Sequence, residues 1–343
     1  MCKERQPTDH EAIRMLRDRG LAAALTSAAA TYVMPICWIR AQDGRPLILG
    51  NGSAFLLDCG AGPFLVTAEH VYEEFLALRE QYADTICILG NTRFDLQARH
   101  IASDCAFDVA TFRVAGNELE ALTQGSNPKS VLTGSQRSWP PNPPEVDRGV
   151  FFVGFPGDGR TMRPYRGGSI VEVDWVGYSA LAIARGVSET DITLIFDHDH
   201  DVDIGLRPKA PSDWALGGCS GAPILTFVEH KNVFSWRLGG IIYESSNAIL
   251  KASRADCLNP DGSINRYPNP MAYRSNRGSK CRRSLHFSRQ LSTPPRRRGF
   301  GFIAIFPVPR EPFSAAPRIL RLPRLTLHVR HSVPGSGVAR RDA

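Results

Sequence analysis

The sequence predicts an all-β fold of two packed antiparallel barrels, with a short helix ahead of them and an irregular, disordered tail behind. Three observations predict it. Between Tyr32 and Val114, and again from Gly149, short runs rich in Val, Ile, Phe and Thr follow one another, separated by Gly, Asn or Pro. A proline-rich stretch divides the two sets. Beyond about Pro268 the composition turns to Arg, Pro and Ser.

Taken in order, residues 1–31 form an N-terminal extension. "GLAAALTSAAATYVMP" has the small, mildly apolar character of a signal-peptide core, but Asp9, Glu11 and Asp18 precede it. A short amphipathic helix fits better. Thr8 and Glu11 have capping-box spacing, and Ile13 and Leu16 share a face.

Residues 32–114 make the first barrel, from "YVMPICWIRA", "GSAFLLDC", "PFLVTAEHV", "TICILG" and "VATFRV", with one helix over "HVYEEFLALREQY". Residues 115–148 are a connector. "GSNPKSVLTGSQRSWPPNPPEVDRG" holds five prolines, which donate nothing to a ladder, so no central strand runs here. Residues 149–268 make the second barrel, from "VFFVGFPG" through "FSWRLGGIIYESS". Residues 269–343 are the tail, with 15 Arg and one Lys and no stable hydrophobic period.

The net charge of +7 misleads as a bulk number. Of 41 Lys and Arg, 16 lie in residues 269–343, with only 2 of the 34 Asp and Glu, so the tail carries +14. The rest holds 25 basic against 32 acidic side chains, or −7. Nucleic-acid binding could therefore rest only on the basic tail. No apolar run is long enough to span a bilayer, which argues against membrane insertion. The eight cysteines stand singly, without a C-x-x-C pair; this favours a reducing, cytoplasmic setting, with export as the alternative.

"GGCSGAPIL" places Ser220 among Gly217, Gly218 and Gly221, just before an apolar run. Alone this is a glycine-rich turn, and Gly-x-Ser-Gly-x-Pro arises by chance in about one chain in a hundred of this length. A serine becomes a nucleophile only when a base takes its proton. His70 suits that role, because it follows the apolar strand of "FLVTAEHV" where a helix or turn begins. A carboxylate must then hold the imidazole's tautomer. Asp108 in "CAFDVATFRV" directly precedes an alternating run, with Asp104 as its competitor.

The order His70, Asp108, Ser220 is that of the chymotrypsin/trypsin-like serine peptidases, the standard template for such a triad. "VTAEHV" resembles that family's Thr-Ala-Ala-His block, "FDVATF" its Asp-Ile-Ala-Leu block, and "GCSGAP" its Gly-Asp-Ser-Gly-Gly-Pro block. "GNGSAFLL", "VFFVGFPG" and "LGGIIYE" are similar to flanking strands, and bacterial members fit best. The resemblance covers roughly Tyr32 to Ser246.

The resemblance implies a serine endopeptidase acting on a protein or peptide, without cofactor or metal. It implies an oxyanion hole from the backbone N–H groups of Gly218 and Ser220. It places the specificity pocket near Trp214, Tyr243 and Ser245, with Asp213 one residue from its floor. Cys219 stands where zymogen-activated members carry Asp, and no Ile-Val-Gly-Gly start accompanies it. Val71 stands where secreted animal enzymes have a cysteine. Some viral relatives use a cysteine nucleophile followed by Gly, but here Ser220, not Cys219, precedes Gly221.

"FDHDHDVD", Phe196 to Asp203, offers His198 and His200 as metal ligands, but such alternation more often marks a solvated face. Two rival readings accompany the peptidase. One is an inactive, protein-binding relative. The other is an α/β-hydrolase, which requires the order Ser, acid, His and a helix after the serine; Ser220 comes last and Pro223 follows it.

Overall fold

The structure is a computed structural model that describes residues 21–42, 45–90, 92–125, 127–134, 139–164, 170–195, 215–230, 233–246, 249–265 and 304–305. It is mostly β, with two principal sheets.

The first sheet is built from β1 (Val33–Gln42), β2 (Arg45–Asp58), β3 (Phe64–Thr67), β4 (Ile86–Leu89), β5 (Thr92–Phe94), β6 (His100–Asp104) and β7 (Val109–Arg113). Its order is β5-β4-β1-β2-β3-β7-β6, and each of these neighbouring pairs is antiparallel. A short strand, β8 (Leu132–Thr133), adds in parallel to β2.

The expected first barrel is thus a curled sheet, open along one seam. Its edges, β5 and β6, are consecutive in the chain. Asp95 and a one-turn helix, Leu96–Arg99, join them. Asp95 caps that helix by accepting from the Ala98 N–H at 3.2 Å. The helix takes the backbone out of the ladder, and β5 has only three residues to offer.

The second sheet closes. It comprises β9 (Gly149–Gly154), β12 (Tyr178–Val187), β13 (Asp191–Ile195), β14 (Pro223–His230), β15 (Val233–Ser245) and β16 (Ile249–Arg254). They form a six-stranded barrel in the order β12-β13-β16-β15-β14-β9. Between β9 and β12 lies a hairpin of β10 (Arg160–Pro164) and β11 (Ile170–Trp175), to which β17 (Ala304–Ile305) pairs. That pair is the only part of the expected tail among the described residues. The helix framed by Thr8 and Glu11, and the "FDHDHDVD" stretch, lie outside them.

Strands with two buried faces read as nearly continuous apolar runs. In β9, Val150 and Phe152 point into the barrel, while Phe151 and Val153 point towards the first sheet. In β2, Leu56 faces the interior of its own sheet, and Phe55 and Leu57 face the barrel side. One apolar cluster therefore joins the sheets, with Phe64, Val66 and Val109 on one side and Phe155, Leu225 and Ile241 on the other. Each such side chain contributes ~1.5–3 kcal/mol when fully buried.

Among the described residues, three helices of more than one turn accompany the sheets: α1 (Leu21–Ala30), α2 (Glu69–Gln81) and α3 (Gly116–Gln124). Helix α2 matches the expected "HVYEEFLALREQY" helix to within a residue at each end. Helix α3 lies inside the connector. Its first turn is closed by Glu118, whose carboxylate accepts from the Ala115 N–H at 2.8 Å.

Candidate active site

The site forms where the two sheets meet. On the first sheet, β3 is buried throughout, and the chain turns at Ala68 into α2. His70 is therefore the second residue of a helix, fixed at a strand end. Opposite it, the turn between β6 and β7 presents Asp108. Its backbone is left-handed, with φ 52°, a conformation that Asp tolerates better than most residues. Asp108 accepts from the His70 backbone N–H at 2.9 Å, and both its oxygens lie within 3.0 Å of His70 Nδ1.

Asp104 has a different task. Its Oδ1 accepts from the N–H groups of Ala106 at 2.8 Å and Phe107 at 3.4 Å, which shapes the turn that aims Asp108. Of the two candidate carboxylates, only Asp108 meets the imidazole.

Burial alone would lower the pKa of His70. The hydrogen bond and charge of Asp108, with a further contribution from Glu74, outweigh it and raise the value above that of an ordinary histidine. Burial pushes Glu69 up to about 8, aided by the charges of Glu73 and Asp108, so this carboxyl is mostly neutral at pH 7. Sequence reading passed over Glu69 and Glu74. The visible signal was the run of carboxylates at 69, 73 and 74 on one helix.

On the barrel, the glycine turn precedes β14. Gly221 has φ 89°, and a Cβ there would lie 2.0 Å from the Ser53 carbonyl oxygen, 2.3 Å from Thr67 Oγ1 and 3.0 Å from the Ala68 nitrogen. Only glycine permits so close an approach. The Ser53 N–H donates to the Ser220 carbonyl at 2.8 Å. The turn that carries Ser220 is thus pressed onto the segment that leads into His70. Among the described residues no hydrogen bond joins Ser220 Oγ to His70.

Cys219 points away from the site. It is fully buried, its thiol pushed up to about 12 by burial, and its Sγ lies 2.9 Å from where a Cβ on Gly154 would stand. A protonated, enclosed thiol is not a nucleophile. Gly218 has φ 98°, and among the described residues neither its N–H nor that of Ser220 meets an acceptor.

The pocket residues fare unequally. Trp214, with Asp213, lies outside the described residues. The Tyr243 hydroxyl donates to Asp191 at 3.0 Å, so the tip of its ring is tied to β13. Ser245 ends β15, opposite Leu250 of β16. Among the described residues no group of three or more His, Cys, Asp or Glu could hold a metal ion, and no helix is long and apolar enough to cross a membrane.

Sequence reading placed Asn51 and Ser53 in a strand resembling one of the family's but gave neither a role. The Ser53 hydroxyl donates to the Gly218 carbonyl at 2.8 Å and accepts from the Phe155 N–H at 2.9 Å. The Asn51 amide donates to the Phe155 carbonyl at 3.1 Å and accepts from Arg160 Nη1 at 3.2 Å. Both residues sit on β2 and brace turns of the other half. No family model matches the chain, and no curated protein matches it.

Proposed function

We propose that the protein is a serine endopeptidase of trypsin-like architecture, the curled first sheet standing for the first barrel. The observation that carries this reading is the two-point contact of Asp108 with His70, beside a glycine turn pressed onto Ala68. In this reading Ser220 Oγ attacks the scissile carbonyl carbon while His70 Nε2 takes the hydroxyl proton. Asp108 holds Nδ1–H and stabilises the imidazolium. The carbonyl π electrons move onto oxygen, which receives the N–H groups of Gly218 and Ser220; one such donor is typically worth ~10²–10³ in rate. Collapse expels the amine, protonated by His70, and leaves an acyl-enzyme. Water, deprotonated by His70, then releases the acid.

Trp214, Tyr243 and Ser245 are proposed to flank the side chain of the residue before the cleaved bond. A reducing, cytoplasmic compartment is proposed because the eight cysteines stand singly in the sequence and five of them, Cys37, Cys59, Cys87, Cys219 and Cys257, are buried thiols. The missing Ser220–His70 hydrogen bond favours one second reading, an inactive binding relative.

The test is a fluorophosphonate probe, for which no substrate is needed. The oxygen of Ser220 would bond to phosphorus, fluoride would leave, and the proton would pass to His70. Labelling of the wild type and none of Ser220→Ala is expected. An unlabelled wild type would favour the inactive relative.

A further inference from the structure

The N–H proposed for the oxyanion hole belongs to the peptide between Gly217 and Gly218. A trans peptide points its C=O and N–H in opposite directions. Whatever holds the Gly217 carbonyl therefore decides where the Gly218 N–H points. Glycine on both sides of that bond removes the steric bias that would otherwise select one orientation.

The Gly217 carbonyl is held. It accepts from the Gly157 N–H at 2.7 Å. Gly157 opens a single 3-10 turn, Gly157–Gly159, which follows β9 and Pro156. The next residue, Asp158, reaches the other end of the glycine segment: its Oδ2 accepts from the Ala215 N–H at 2.8 Å. The far side is closed as well, since the Ser53 hydroxyl bonds the Gly218 carbonyl and the Asn51 amide bonds the Phe155 carbonyl. A Cβ on Gly218 would stand 2.3 Å from Asn51 Nδ2 and 3.0 Å from the Gly157 nitrogen, so the two turns are in close contact.

We propose that the Phe155–Asp158 turn is a latch that sets the Gly217–Gly218 peptide with its N–H towards the substrate, and that Asp158 is a positioning residue for the oxyanion hole. The inference rests on reading Ser220 as the nucleophile. Asp158 is exposed and its carboxylate touches none of the reacting groups, so it acts through Ala215 and the turn. With the latch loosened, the peptide can rotate and leave a carbonyl facing the developing oxyanion.

The experiment measures the rate of fluorophosphonate labelling at Ser220, because the phosphonyl oxygen occupies the same hole. Four variants are compared with the wild type, and thermal unfolding shows which are folded. Asp158→Ala removes the acceptor and is expected to slow labelling about 10-fold or more, a fraction of the ~10²–10³ that a lost donor costs. Asp158→Asn keeps an acceptor oxygen and should restore most of the rate, with both variants melting close to wild type.

Gly157→Pro deletes the N–H that holds Gly217. Proline suits the first position of a helical turn, and Pro156 before it is already extended, with ψ 146°. This variant is expected to label about 100-fold more slowly. Gly157→Ala keeps the N–H and serves as its control; its Cβ would meet Asn51 Oδ1 at 3.2 Å. Equal labelling of wild type and folded Asp158→Ala would overturn the latch while sparing the nucleophile. No labelling of wild type would overturn the nucleophile and the latch together. If Gly157→Pro does not fold, the two Asp158 variants decide.

Discussion

The two halves contribute to the site in different ways. The first sheet is open at one seam, yet it supplies a finished unit. His70 and Asp108 meet through contacts made within that sheet, on a helix start and a turn that Asp104 shapes. The barrel is closed, yet its contribution is unfinished. Its glycine turn takes its shape largely from residues outside the closed ladder: Asn51 and Ser53 on β2, and the turn after β9. Closure of a sheet and completeness of a site are therefore separate matters. The His70–Asp108 contact is made within the first sheet, with Ser253 of β16 bonding the Phe107 carbonyl beside it, whereas the turn that carries Ser220 is braced directly by residues of both halves.

The largest expected effect tests whether the halves act as one. Ser220→Ala and His70→Ala should each abolish nearly all labelling or peptide turnover, and the double variant should be scarcely worse, because residues acting in one transition state are strongly non-additive. Asp108→Asn should cost about 10⁴ in kcat if the tautomer argument transfers from the chymotrypsin-type template. Cys219→Ala should stay active. An inactive Cys219→Ala beside an active Ser220→Ala would move the nucleophile by one residue.

The next effect is on the joint between the sheets. Gly221→Ala puts a methyl group 2.0 Å from the Ser53 carbonyl oxygen at a φ of 89°. Backbone strain and overpacking together cost about 2–6 kcal/mol. Activity and melting temperature should both fall, and a silent Gly221→Ala would show that the turn can withdraw from β2. Ser53→Ala is gentler. It leaves the Gly218 carbonyl and the Phe155 N–H without the shared hydroxyl, for ~1–3 kcal/mol in denaturant unfolding. It should slow labelling while leaving the His70–Asp108 contact alone.

The smallest effect belongs to the first sheet alone. Glu69 has its pKa raised to about 8 in the fold, from 4.5. Between those values the native state holds a proton that the unfolded chain has lost, so stability falls as pH rises from 4.5 to 8. Glu69→Gln imitates the protonated form. It should leave the melting temperature at pH 4 unchanged and raise it by a few degrees at pH 8. An equal shift at both values would mean that Glu69 does not titrate in this range.

Much of this was legible in the sequence. The strands announced themselves because burial on both faces leaves unbroken runs such as "VFFVGF". His70 and Ser220 stood out because each sits where an apolar run meets a turn. Asp108 was distinguishable from Asp104 only through the strand beginning beside it. The open seam was not legible, since "TRF" and "LQAR" are too short to carry a period. Helix α3 was hidden by the prolines that follow it. The roles of Asn51, Ser53 and Asp158 left no trace, because each works across a separation of 57 to 165 residues on backbone groups that have no letter of their own.

The apolar cluster shared by the two sheets has a consequence for how the chain can be divided. Phe55, Leu57 and Val66 have nowhere to go but against Phe151, Val153 and Leu225. Cut within residues 139–148, the polypeptide becomes two pieces, each with one greasy flank and an incomplete site. Those pieces should find each other again, as the parts of a split reporter do, and neither should label by itself. Inheritance of the site is thus collective: it belongs to the seam, and a nick in the covalent thread between the halves is a smaller injury than a polar residue placed in that seam.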